Sequence, residues 1–77
     1  MDLPRQQAKL YALLETGQDV PIVVLFDALN TDLKPRDVRH AQQYVGEYLV
    51  RLNRRLKAHG KRVVPGRIKQ TYVLRSA

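Results

Sequence analysis

A chain of 77 residues can close one small core, so residues 1–77 are expected to form a single domain with no second core. It has no cysteine, which excludes a disulfide frame and a thiolate metal site, and no apolar run near the ~18–20 residues of a membrane span. The formal net charge is +7, and its distribution is uneven: all seven acids lie at or before Glu47, and nine of the fourteen Lys and Arg residues follow it. A one-sign half of a small domain attracts polyanions, nucleic acid first among them. An anionic membrane surface is disfavoured because no exposed Trp, Phe or Leu face accompanies the charge.

Pro4 suits a first helical position, where its missing N–H would be unpaired anyway. Leu10, Leu13 and Leu14 mark a buried face with Tyr11 beside them, and Gly17 supplies a left-handed stop. A first helix over residues 4–16 is therefore expected, followed by a short connection through Gln18, Asp19 and Val20. The run from Pro21 to Asn30 is ambiguous. Its β-branched Ile22, Val23 and Val24 favour a strand, whereas Ile22, Leu25, Phe26 and Leu29 fall on one face of a helix. Thr31 to Lys34 reads as a loop.

A long helix is expected from near Pro35 to Ala58, with Asp37 in its first turn and Gly60 as its stop. Its apolar stripe runs Val38, Ala41, Val45, Leu49, Leu52, Leu56. The opposite face carries Arg36, Arg39, Gln43, Glu47, Arg51, Arg54 and Arg55, a cationic surface rich in hydrogen-bond donors that suits a DNA groove. Beyond Gly60 the period changes to that of strands. Residues 61–64 and 70–74 form a hairpin around Pro65-Gly66, with Arg67, Ile68 and Lys69 near its tip.

Three helices followed by a basic hairpin is the organisation of a winged helix-turn-helix. The residues resemble the OmpR/PhoB-type effector domains of response regulators. That family opens with a Leu-Thr-Pro-Arg-Glu-like phrase, and Leu3-Pro4-Arg5-Gln6-Gln7 is similar. Its second helix often ends Leu-Leu-Asp-Ala-Val, against Leu25-Phe26-Asp27-Ala28-Leu29 here. Its recognition helix commonly reads Val-Asp-Val-His-Ile-x-Arg-Leu-Arg-Arg-Lys-Leu, against Val45-Gly46-Glu47-Tyr48-Leu49-Val50-Arg51-Leu52-Asn53-Arg54-Arg55-Leu56. The wing matches only through Val63-Val64, Gly66 and Tyr72. The family's N-terminal sheet and receiver domain have no counterpart in these residues, so phosphorelay control is not carried over. Val50 stands where the family is often polar or basic, and Ile22, Val23 and Val24 where it is usually polar.

The resemblance implies an α+β, mostly α fold: a three-helix winged helix-turn-helix with a C-terminal hairpin, in which the ambiguous 21–30 run is helical. It implies a small, cytoplasmic, nucleoid-associated transcription regulator that binds double-stranded DNA sequence-specifically. Helix 36–58 would lie in the major groove, and hairpin 61–75 would act as the wing. Gln43, Tyr44, Glu47 and Arg51 are the candidates for reading bases. Arg51 would do so by its guanidinium fork on guanine O6 and N7, or else contact phosphate. Gln43 and Tyr44 would reach bases or phosphates. Glu47 would accept from cytosine N4 or, ahead of that, orient Arg51 four positions on. Tyr48 stands where the family has His and is expected to be half core. Arg36, Arg39, Arg54, Arg55, Lys57, Lys61 and Arg62 are the candidates for phosphate contact, with Arg67 and Lys69 on the wing. Partners beyond DNA are expected to be a second copy on repeated half-sites, or RNA polymerase or another protein against exposed Val23 and Val24.

No cofactor or metal is expected. His40 and His59 stand nineteen positions apart without a second ligand pattern, Asp27 and Asp32 form no evident acid/base pair, and no phosphate-cradling glycine loop occurs, so an enzyme is not expected. Two other functions compete with DNA binding. One is a protein-interaction adaptor docking through the Ile22–Val24 surface. The other is an RNA-binding protein using the same cations, although the four tyrosines do not form a basic-interleaved stacking platform.

Overall fold

The computed structural model describes residues 2–29 and 38–76. Within them the order is α1 (Arg5–Leu14), β1 (Val20–Pro21), α2 (Ile22–Ala28), α3 (Val38–Leu56), β2 (Lys61–Pro65) and β3 (Thr71–Ser76), with a 3₁₀ turn at Lys57–His59. This is a mostly helical α+β domain of three helices and one three-stranded antiparallel sheet, with strand order β1-β3-β2. The expected helix start at Pro35, Asp37 in its first turn, the Thr31–Lys34 loop, Arg36 and the Val38 side chain in the stripe lie outside the described residues.

Helix α1 buries Leu10 and Leu14 and leaves Tyr11 and Leu13 half-buried against the same core. It ends three residues before Gly17, whose φ of 78° lets its N–H reach back to the Leu14 carbonyl at 3.1 Å. The stretch expected to be a plain connection contains a strand instead. Val20 pairs with Tyr72 and Pro21 with Thr71, which ties the α1–α2 junction to the hairpin. Two residues give no alternation to detect, and their partners lie some fifty positions away.

The β-branched run is a helix. Ile22, Leu25, Phe26 and Leu29 are all within 2 % of full burial, and each buried side chain of this size contributes about 1.5–3 kcal/mol. That burial outweighs the few tenths of a kcal/mol by which Val and Ile disfavour a helix. Gln6 of α1 donates through Nε2 to the Leu29 carbonyl at 2.9 Å, satisfying an acceptor just past the end of α2.

Helix α3 crosses both shorter helices and forms the spine of the core through Ala41, Val45, Leu49, Leu52 and Leu56. Its α-helical part stops at Leu56, two residues short of the expected end. The chain then tightens into the 3₁₀ turn and leaves through Gly60 at φ 68°, whose N–H bonds Lys57 at 3.2 Å. The hairpin follows with β3 as the central strand and β2 at the edge, Val63 facing Leu74 and Val64 facing Val73. Only Val63, Thr71 and Val73 of the hairpin are buried.

Candidate nucleic-acid interface

The buried stripe of α3 advances by four, three and four residues through Val45, Leu49, Leu52 and Leu56. Shifted back by two positions, the same spacing gives Gln43, Glu47, Val50 and Arg54, all exposed. Two positions are about 200° around a helix, so these four form the face opposite the core. Arg51 adjoins that face, exposed, with its guanidinium carbon 5.6 Å from the Tyr48 ring centroid. Glu47, Val50, Arg51 and Arg54 border one shallow depression. Gln7 of α1 borders a second with Arg51, Arg54 and Arg55. Arg39 is exposed one turn before Gln43.

Tyr44 stands differently from the other expected base readers. Its ring is half-buried, 5.3 Å from Phe26 and 5.5 Å from Tyr48 between centroids, so it belongs to the packing of α2 on α3. Tyr48 is likewise half-buried, as expected. A hydrogen bond with Tyr44 holds its hydroxyl above the ordinary tyrosine range, so it stays protonated near neutral pH.

The expected phosphate contacts divide into two groups. Arg54, Arg55, Lys57 and Arg62 are exposed. Lys61 is half-buried and donates through Nζ to the Tyr11 hydroxyl at 3.0 Å, lying 5.7 Å from that ring's centroid. That hydrogen bond holds its ammonium above the ordinary lysine range. Lys61 is therefore engaged in joining β2 to α1, while Lys57 and Arg62 flank the hollow it shares with Asn53.

Two polar side chains fix the hairpin. At its base Asn53 of α3 pairs with both backbone groups of Val63: Nδ2 donates to the carbonyl at 3.1 Å, and Oδ1 accepts from the N–H at 2.8 Å. Val63 lies on the edge strand, so Asn53 satisfies groups that no further strand covers. At the tip, Asp19 Oδ2 accepts from the N–H groups of Arg67 at 3.0 Å and Ile68 at 3.2 Å. Thr71 Oγ1 donates to the Ile68 carbonyl at 2.6 Å, and Gly66 N–H to the Thr71 carbonyl at 2.9 Å. A Cβ on Gly66 would collide with Thr71 Oγ1 and the Asp19 carboxylate, so any side chain there would have to displace these two groups. Arg67 and Lys69 are thus exposed on a fixed turn, with the Asp19 carboxylate against the Arg67 and Ile68 backbone.

Gln43, Glu47 and Arg51 are brought onto or beside one exposed face, and Arg54 joins them there. Arg36 lies outside the described residues. Asn53, Asp19, Gln7 and Val50 were not singled out as site residues. Asn53 leaves a trace in the sequence, an amide beside the buried stripe position Leu52 in a helix interior where Asn is disfavoured. The proposed docking surface at Ile22–Val24 needs correction. Ile22 is buried to 2 % as an anchor of α2, and only Val23 and Val24 reach solvent, at 51 % and 39 %. Among the described residues no three His, Cys, Asp or Glu side chains converge as a metal site, and no helix is long and apolar enough to cross a membrane. No protein-family model, curated protein or solved structure matches this chain.

Proposed function

We propose that this chain is a winged helix that binds double-stranded DNA, with α3 in the major groove and the β2–β3 hairpin as a short wing, and that it acts as a small transcription regulator. The observation that carries the proposal is the outer face of α3. Gln43, Glu47, Arg51 and Arg54 are exposed together on a helix whose opposite face is wholly committed to the core. Gln and Arg are the side chains that pair bidentately with adenine and guanine edges, and Glu accepts from cytosine N4. The order helix, strand, helix, helix, hairpin, with the first strand joined to the hairpin, also supports it. Arg54, near the middle of the outer face, reads bases beside Arg51. Arg39, Arg55, Lys57, Arg62 and the wing cations hold phosphates.

Salt dependence tests this on a duplex selected from a random pool. Five or six phosphate contacts predict a log–log slope of roughly −5, and RNA of the same sequence should compete poorly. A flat dependence removes the electrostatic basis, and equal competition by RNA replaces duplex DNA as the ligand.

A protein contact accompanies this function on a separate patch. Val23 and Ile68, 51 % and 66 % exposed, border one hollow between α2 and the hairpin tip, with Val24 beside Val23. A second copy on a repeated half-site is the occupant proposed. Val24→Asp should remove cooperativity on a double site and leave single-site affinity unchanged.

A further inference from the structure

Val50 is the misfit on the outer face of α3. It is 55 % exposed, and no core contact requires an apolar residue there. A β-branched residue also gains nothing for the helix at an exposed position. Its surroundings are specific. Glu47 is three residues before it, Arg54 four after, Arg51 adjoins it, and all four side chains border the same shallow depression. One small, stiff apolar group thus stands inside a ring of charged hydrogen-bonding side chains on a cationic domain.

An ordinary protein partner would meet two exposed arginines and a glutamate around a single valine, the one apolar side chain among the described residues that border this depression. The major-groove edge of DNA offers the matching mixture. Guanine presents two acceptors, cytosine an amino donor, and thymine one apolar group, its C5-methyl. From this juxtaposition we infer that Val50 reads the C5-methyl group of a pyrimidine, thymine in unmodified DNA, next to base pairs read by Glu47, Arg51 and Arg54. The inference rests on the proposed placement of α3 in the major groove. Val50 is a specificity-determining residue by contact rather than by hydrogen bonding. It also gives a reason for DNA over RNA, because uracil lacks the methyl.

Deoxyuridine in place of thymidine deletes that methyl and leaves the base pair intact. The experiment takes the best duplex from a random pool, replaces each thymidine singly by deoxyuridine, and measures affinity for the wild-type protein and for Val50→Ala. Val50 is exposed, so the substitution leaves the core untouched, and circular dichroism verifies the fold. Burying one methyl is expected to be worth about three- to fivefold in affinity. One deoxyuridine position should therefore cost wild type about that factor and cost Val50→Ala, which keeps only its Cβ, clearly less. A 5-methylcytosine·guanine pair there should bind wild type more tightly than cytosine·guanine. Deoxyuridine without effect at every position, or with the same effect on both proteins, overturns the inference while DNA binding stands. A Val50→Ala protein that binds all duplexes normally but loses self-association assigns Val50 to a protein contact and overturns it too. Failure to recover any duplex from the pool removes the DNA-binding proposal itself.

Discussion

Helix α3 and the β2–β3 hairpin supply most of the cationic surface between them, yet they are held in place by different physics. Helix α3 sits on a continuous apolar stripe, with Ala41, Val45, Leu52 and Leu56 fully buried and Leu49 nearly so. The hairpin buries only Val63, Val73 and Thr71, and polar contacts hold it in place. These are its pairing with β1, the Lys61–Tyr11 hydrogen bond, and two side chains that grip its backbone, Asn53 at the base and Asp19 at the tip. Burial is distributed over many contacts and tolerates adjustment. A hydrogen-bonded clamp is local and fails when one group is removed. Helix α3 is therefore built rigid, and the hairpin can be moved by single substitutions that leave the core intact.

The largest expected effect is in the helix. Leu52→Ala should destabilise the domain by about 2–5 kcal/mol, measured by denaturant unfolding, because a fully buried leucine leaves a cavity in the core. A loss under about 1 kcal/mol would mean that the stripe is not the main support.

Asn53→Ala comes next. It leaves the Val63 N–H and carbonyl without their partner on an edge strand, at a cost of about 1–3 kcal/mol. Amide exchange should rise in β2 more than in α3. A uniform rise along the chain would show that Asn53 supports the whole fold rather than the hairpin.

Asp19 separates position from charge. Asp19→Ala releases the Arg67 and Ile68 N–H groups and should cost about 0.5–1.5 kcal/mol, with exchange increased at residues 66–70. Asp19→Asn keeps an acceptor oxygen and removes the negative charge at the hairpin tip. It should preserve the tip and strengthen duplex binding at low salt. If Asp19→Asn binds no more tightly than wild type at low salt, the carboxylate's charge is irrelevant to binding.

The smallest effect is a gain. Gly46 lies inside α3 with nothing within 4 Å of where a Cβ would stand. Gly46→Ala should raise stability by about 0.5–1 kcal/mol through helix propensity alone. No gain in thermal or denaturant unfolding would mean that the glycine is not limiting the helix.

The same contrast governs what was legible in the sequence. The stripe of α3 and the glycine stops at Gly17 and Gly60 are local patterns, and each is present close to where it was expected. The hairpin turn comes one residue later, over residues 66–70, because Pro65 still pairs with Tyr72 as the end of β2. The α2 run was readable only as a conflict, because strand propensity and helical spacing compete until Ile22, Leu25, Phe26 and Leu29 find a core to enter. Strand β1 was missed because two residues carry no periodicity and pair with residues 71 and 72. The clamps by Asn53 and Asp19 were missed because each grips backbone atoms, which bear no residue-type signature, 10 and 48 or 49 positions away. On α3 the charges were legible, but Tyr44 was absorbed by an aromatic contact with Phe26, which depends on how α2 packs.

The most direct test of the central claim is a ¹H–¹⁵N shift map of the protein titrated with a selected duplex. The account predicts the largest changes at Gln43, Glu47, Val50, Arg51 and Arg54, with a second group at Arg67 and Lys69. An outer face of α3 that stays unperturbed while the changes concentrate at Val23 and Val24 would contradict it.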